Sequence, residues 1–314
     1  MGSARPDDYS FIRYLAAKKG VDDRSLNRHV WEKLVKAVLE MRRPAPLMVL
    51  EVGCGIGTML ERLLDWGLLV HAEYTAIDVA PECLEEARAS LRAYADRKGA
   101  GLIEEESWLI FQSHSYRVLL QLEAIDLERF LAREQGRAAW DLVIAHAFLD
   151  LVDLPATLPP LLSLLRDGGL AYFTLNFDGV TVLQPEVDPD LDRQVINLYH
   201  RTMDERRVAG RPSGDSRTGR RLFRELKAAG ARVLAAGSSD WVVFPGPGGY
   251  PDDEAYFLHF LIDTMRGALE GHPELDAPRF RDWVEARHAQ VEAAELVLIA
   301  HQLDFLARVG AEAE

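Results

Sequence analysis

The chain has 314 residues, 48% of them hydrophobic, and a formal net charge of -14. That length supports one large domain or one domain with a sizeable lid, and the acidic balance argues against broad nucleic-acid binding. Cys54 and Cys83 are the two cysteines, which argues for a reducing compartment, against a disulfide framework and against a zinc site. No apolar run approaches a membrane span, and the segment from Met1 to Asp8 lacks a signal-peptide core. The expectation is a cytoplasmic protein with no membrane partner and no metal.

Residues 9–41 read as helical with a break near Gly20, and Val30, Trp31, Leu34, Val35, Val38 and Leu39 recur on one face. Between the helices, Asp22, Asp23 and Ser25 are candidate caps. Pro44 and Pro46 end this piece. Met48 to Val52 is a short apolar run, read as a buried strand, with Glu51 near its end. Gly53, Gly55 and Gly57 follow, then Thr58, Met59, Leu60, Leu63 and Leu64 at helical spacing. Such a strand, glycine turn and helix lets a ligand lie against backbone and presents free N–H groups. Cys54 inside the turn reads as a small filler. A dinucleotide site wants its third glycine one position later, where Thr58 stands, which disfavours a nicotinamide enzyme.

Tyr74 to Asp78 is the second strand, and it ends in an acid 21 residues after Gly57. Pro81 opens a helix over 81–95, with Leu84, Ala87, Leu91 and Tyr94 on one side. Trp108 to Gln112 and Tyr116 to Asp126 read as a hairpin whose second strand enters the core sheet. A helix follows from Leu127 to Gln135. Trp140 to Ala145 is the next buried strand. His146 is the first residue past its carboxyl end, where open parallel sheets hold ligands. Leu158 to Leu165 reads as a short helix closed by Gly168 and Gly169. Leu170 to Leu175 is a strand, leaving Asn176, Phe177 and Asp178 at the ligand edge.

Residues 178–216 read as an inserted lid, with a helix through Ile196, Tyr199 and His200. The arginine-rich stretch from Arg193 to Arg232, including Arg217, Arg220 and Arg221, is either a pocket for an anionic acceptor or a solvated helix face. A helix from Thr218 ends at Gly230, and Ala231 to Phe244 reads as a strand with an irregular middle. Helices are expected near 252–270 and 277–294. Val297 to Val309 alternates with period two and reads as a strand, a helix being the alternative. His301 falls on its apolar side and reads as a core histidine.

The pattern Glu51-x-Gly53-x-Gly55-x-Gly57 resembles motif I of the class I S-adenosylmethionine-dependent methyltransferases. Asp78, Asp126-Leu127 and the Gly168-Gly169-strand passage then follow in that family's order, over roughly residues 48–175. The resemblance implies an α/β fold: a Rossmann-like seven-stranded mixed sheet with an antiparallel last strand and helices on both faces. It divides the chain into an N-terminal helical cap over 1–45 and a methyltransferase domain over 46–314. The implied cofactor is S-adenosylmethionine, held by Glu51, Gly53, Gly55, Gly57, Asp78, Val79, Asp126, Leu127, His146 and Phe148. Asp78 would accept from both ribose hydroxyls, as a carboxylate facing a cis-diol does well. Val79 would pack on the adenine and Phe148 beside the sulfonium. Asp126 would accept from the adenine amino group, cap the helix from Leu127, or do both. Arg24, Asn27 and Arg28 either reach the cofactor carboxylate or are ordinary surface residues.

The function so implied is in-line methyl transfer to a small-molecule acceptor at oxygen, nitrogen or carbon, by a monomer or homodimer. The protein must mainly place the acceptor and shed water. If a base is needed, the candidates are His146, Asp150, Tyr199 and His200, in that order. The alternatives are a catalytically silent cofactor-binding partner protein and a methyltransferase of RNA or protein.

Overall fold

The computed structural model describes residues 4–41, 44–105 and 108–310. The strands are β1 (Leu47–Val52), β2 (His71–Asp78), β3 (Gly101–Glu104), β4 (Leu109–Gln112), β5 (Arg117–Ala124), β6 (Trp140–His146), β7 (Leu165–Gln184), β8 (Arg207–Val208), β9 (Arg211–Pro212), β10 (Ala231–Ser238), β11 (Trp241–Val243) and β12 (Val297–Val309), and apolar runs build those of the central sheet. The helices are α1 (Phe11–Ala17), α2 (Lys19–Ser25), α3 (Arg28–Glu40), α4 (Thr58–Asp65), α5 (Pro81–Lys98), α6 (Leu127–Glu134), α7 (Leu154–Leu162), α8 (Pro189–Glu205), α9 (Thr218–Ala228), α10 (Glu254–Leu269) and α11 (Ala277–Glu292).

Seven strands stand in the order β5-β2-β1-β6-β7-β12-β10, with β12 antiparallel to both neighbours. This is the expected Rossmann-like mixed sheet, but it is larger than seven strands. The β3–β4 hairpin adds antiparallel strands beyond β5, and β11 pairs with the first part of β12, making ten in the main sheet. The irregular Gly-Ser-Ser-Asp stretch explains β11: the chain leaves the sheet after Ser238 and re-enters at Trp241. β8 and β9 form a separate small hairpin.

Chain order reverses on either side of β1, since β2 pairs on one flank and β6 on the other, both parallel. A crevice for a ligand opens beyond the carboxyl ends at such a point. β6 is buried at every residue from Trp140 to Ala145, as a strand covered on both faces should be. One face of the sheet packs on α3, α4 and α5 through residues such as Leu34, Leu63 and Leu91. The other packs on α6, α7 and α9 through Phe130, Leu161 and Leu222.

A third apolar cluster lies beyond the sheet's carboxyl edge. β7 continues well past Thr174, its last residue paired to β6, and its second half pairs only with β12. On this extension sit α1, α2, α8, α10 and α11, with Val21, Leu191, Val195, Phe257, Ile262 and Trp283 sharing one core. The segment expected as a lid over 178–216 therefore begins as sheet, and its helix α8 is one part of a roof completed by C-terminal and N-terminal helices. Among the described residues, no helix is long and apolar enough to cross a membrane.

Other differences have local causes. The N-terminal helices break at Lys18 and at Leu26–Asn27, not at Gly20, which lies inside α2. Asn27 is the cap of α3, its Oδ1 accepting from Val30 N at 3.0 Å. The helix expected from Leu158 starts at Leu154, because Asp153 caps it and Pro155 occupies its first turn. The strand expected to end at Leu175 runs on: that residue has φ 54 and kinks β7, which then resumes to Gln184.

Candidate active site

At the crevice, β1 ends in the glycine turn and α4 begins. Gly53, Gly55 and Gly57 have φ of 66, 52 and 81, the left-handed region that glycine adopts without strain. A Cβ on Gly53 would run into the Phe148 ring, and one on Gly55 would sit 3.3 Å from Leu15. Gly57 instead backs onto Ala87 and Leu91 of α5. The turn is thus pressed between α5 behind it and two side chains across a narrow gap.

That gap opens into a cavity of about 690 Å³. Gly53, Gly55, Asp78, Val79, Asp126, Leu127, His146 and Phe148 all line it. Glu51 and Gly57 do not. Glu51 is buried behind the turn, where its Oε2 accepts from the Tyr74 hydroxyl at 2.8 Å, and burial pushes its carboxyl up to about 8. Asp78 accepts from Gly55 N at 2.8 Å through one oxygen and from Ala80 N at 3.0 Å through the other. Its carboxylate is fixed, with lone pairs left over on both oxygens. Val79, 71% exposed, stands on the cavity rim. Asp126 caps α6, its Oδ1 accepting from Arg129 N at 2.9 Å.

His146 is the last residue of β6, still paired with Thr174, and not a loop residue beyond it. Its Nδ1 lies 2.8 Å from Thr174 Oγ1 and its Nε2 lies 3.2 Å from Asp22 Oδ2. Arg62 Nη1 lies 3.2 Å from the same Nε2, so three side chains hold the ring. Burial, helped by the Arg62 guanidinium, lowers its pKa to about 4. Asp22 is the hub of a buried cluster that sequence periodicity does not reveal. Lys18 Nζ is 2.7 Å from Oδ2, Arg62 Nη2 is 3.5 Å from Oδ2, and Trp241 Nε1 donates to Oδ1 at 3.0 Å. Burial alone would raise the Asp22 pKa, but Lys18, His146 and Arg62 hold it far below the usual carboxylate range. Arg62 also binds Asp23. Asp22 and Asp23 are therefore ion-pair partners, not helix caps.

The other candidates separate cleanly. Asp150, on a single 3-10 turn (Leu149–Leu151), and Tyr199, on α8, line the cavity. Burial pushes the Asp150 carboxyl up to about 6 and the Tyr199 phenol to about 12. His200 does not line the cavity; its Nε2 lies 3.0 Å from Oγ1 of Thr181, which does. Arg24 pairs with Glu254, Arg28 is exposed, and Asn27 donates to Ser238 O. None of these reaches the crevice. Arg220 and Arg221 pair with Asp178 and Asp215, so the arginine-rich stretch is a surface feature, and no arginine lines the cavity among the described residues. His301 is half-exposed, with Nδ1 2.7 Å from Asp240, and is not a core histidine.

Lys18, missed in the sequence, is the cavity's one lysine or arginine among the described residues. Its i,i+4 spacing to Asp22 was the available signal. Asp304, buried in β12, was also missed. It accepts from Leu175 N at 2.8 Å and from Asn27 N at 2.7 Å, so it props the kinked strand that lines the cavity and ties down the start of α3.

Residues 24–236 match the family described as "Methyltransferase domain", which is more than half of the chain. The chain belongs to this methyltransferase family. It falls within the class I S-adenosylmethionine-dependent superfamily that the glycine motif resembles. Among curated proteins, a biotin biosynthesis bifunctional protein of Bordetella avium is 38% identical over 64 residues, 20% of this chain and only 13% of that protein. Among solved structures, magnesium protoporphyrin IX methyltransferase of Synechocystis PCC 6803 is similar at TM-score 0.40 and 13% identity, over 74% of this chain and 83% of that one. A phosphoethanolamine N-methyltransferase of Haemonchus contortus aligns at TM-score 0.42 and 12% identity, over 97% of this chain and 61% of that one. Geranyl diphosphate C-methyltransferase of Streptomyces coelicolor A3(2) aligns at TM-score 0.41 and 8% identity, over 88% and 77%.

The residues present in this methyltransferase fit S-adenosylmethionine. A Cβ at Gly53 or Gly55 would intrude on the channel beside the glycine turn, Asp78 offers two fixed acceptor oxygens, and Lys18, paired with Asp22, brings an ammonium to the cap side.

Proposed function

We propose that this chain transfers a methyl group from S-adenosylmethionine to a small, largely apolar acceptor held between the sheet edge and the roof helices. The observation that carries the reading is one continuous cavity. Its wall includes the glycine turn, Asp78 and Asp126, and also Tyr199 and Met203 of α8, Leu261 and Met265 of α10, and Leu298 of β12. A small-molecule site is expected to be concave and mostly apolar with a few placed polar groups, and this wall fits that description.

In this reading, Asp78 holds the ribose hydroxyls, Val79 and Leu127 flank the adenine, and Asp126 accepts from its amino group while capping α6. The Gly53–Gly57 turn and Lys18 hold the methionine part. Glu51 supports the turn from behind through Tyr74. S-adenosylmethionine supplies an electrophilic methyl on a sulfonium, so the chain's own task is placement and exclusion of water. Phe148 and the α1 side chains Phe11, Tyr14 and Leu15 close the cavity over the glycine turn. His146 serves as a fixed neutral wall residue that ties the cap to the sheet.

The reading is tested by incubating the purified protein with methyl-labelled S-adenosylmethionine and a panel of apolar phenols, alcohols, amines and carboxylic acids. Label appearing in at least one small product supports it. Label appearing only in added RNA or protein contradicts it.

A further inference from the structure

Asp150 lines the cavity as a half-buried residue, and the burial of its carboxyl outweighs the pull of Arg206 and Lys18. Its Oδ1 is shielded from solvent and has no hydrogen-bond partner among the described residues. Each cation near it is engaged elsewhere. Arg206 donates through Nε to Ser213 O at 2.5 Å and through Nη2 to Leu151 O at 2.7 Å. Lys18 is bound to Asp22. Asp215, a second acid nearby, is paired with Arg221. A buried polar atom left unsatisfied is costly and calls for an explanation. His146, placed first among candidate bases by the sequence, is by contrast held by Thr174, Asp22 and Arg62.

We infer that Asp150 is the docking point for the acceptor's reacting group, which is an O–H or N–H on an otherwise apolar molecule. This rests on the methyltransferase reading above and narrows it to a heteroatom acceptor. The O–H or N–H donates to Asp150 Oδ1 with Tyr199 beside it. As the new O–C or N–C bond forms, the methyl–sulfur bond breaks and its electron pair stays on sulfur. The acceptor's proton passes to the Asp150 carboxylate, which returns it to water after product leaves.

The test compares wild type with Asp150→Leu and Asp150→Asn, each saturated with S-adenosylhomocysteine. The probes are 2-naphthol and its hydroxyl-free counterpart naphthalene, titrated by fluorescence. Wild type should bind the naphthol at least ten-fold more tightly, and the leucine variant should lose that preference. Because Asp150 makes no side-chain bond that the fold needs, the variants should melt no lower than wild type and bind S-adenosylhomocysteine equally well. Equal titration curves for the two probes on wild type, including no signal from either, overturn the inference. So does an unchanged preference in Asp150→Leu, or a fall in melting temperature in both variants. Cofactor binding is read separately in every sample, so loss of the methyltransferase reading and loss of the Asp150 assignment are told apart.

Discussion

Asp22 Oδ2 lies 3.2 Å from His146 Nε2, and this contact joins the N-terminal helices to the end of β6 across the crevice. The pair are 124 residues apart in the chain. Around it Lys18, Arg62 and Trp241 complete a buried cluster, so the cap that carries Phe11, Tyr14 and Leu15 into the cavity is fastened to the sheet by charge and hydrogen bonds.

Removing the hub leaves the buried Lys18 without its carboxylate and Arg62 with Asp23 alone. Asp22→Ala is expected to cost about 3–5 kcal/mol of stability, the scale for breaking a buried ion pair from one side. Denaturant melts measure it. S-adenosylhomocysteine affinity should fall as well, because α1 forms one wall of the site. A variant as stable as wild type would show that the cluster does not fasten the cap.

Asp78 is fixed by Gly55 N and Ala80 N. Asp78→Ala is expected to weaken S-adenosylhomocysteine binding by about 1–3 kcal/mol, the range for a lost hydrogen bond to a charged group. Calorimetric titration of the folded variant decides; unchanged affinity would remove the ribose assignment.

Gly53 combines φ 66 with the Phe148 ring where a Cβ would stand. Gly53→Ala should lose roughly 1–2 kcal/mol from the left-handed backbone alone, and more from displacing Phe148. Adding Phe148→Ala should recover the steric part and not the backbone part. If the double variant is no more stable than Gly53→Ala, the ring is not what the glycine makes room for.

Glu51 gives a signed pH effect. Its carboxyl stays protonated to about 8 in the fold because of burial, whereas the unfolded chain loses that proton near its ordinary value of 4.5. Between these values the native state holds more protons, so this group's contribution to stability falls as pH rises. Glu51→Gln removes the slope. The melting temperature of the variant should climb relative to wild type from pH 5 to pH 8, and a constant difference would mean Glu51 is ionised in the fold.

Much of the sheet was legible because each strand is a local apolar run and the glycine turn is a local pattern. The order of motifs placed Asp78 and Asp126 at the crevice for the same reason. What the chain did not disclose depends on distant partners. Asp22 resembles a cap until Arg62, His146 and Trp241 are brought beside it. Leu175 looks like a strand end because nothing local announces that Asp304, far along the chain, holds its N–H and lets β7 run on. The segment read as a lid does not announce its neighbours, and only the fold shows that α10 and α11 share a core with α8.

The most direct test of the account is calorimetric titration of the purified protein with S-adenosylhomocysteine, with NAD as control. Saturable binding of the first and none of the second is the predicted result. Failure of folded protein to bind S-adenosylhomocysteine, or a preference for NAD, would contradict the assignment of the glycine turn and Asp78 to this cofactor.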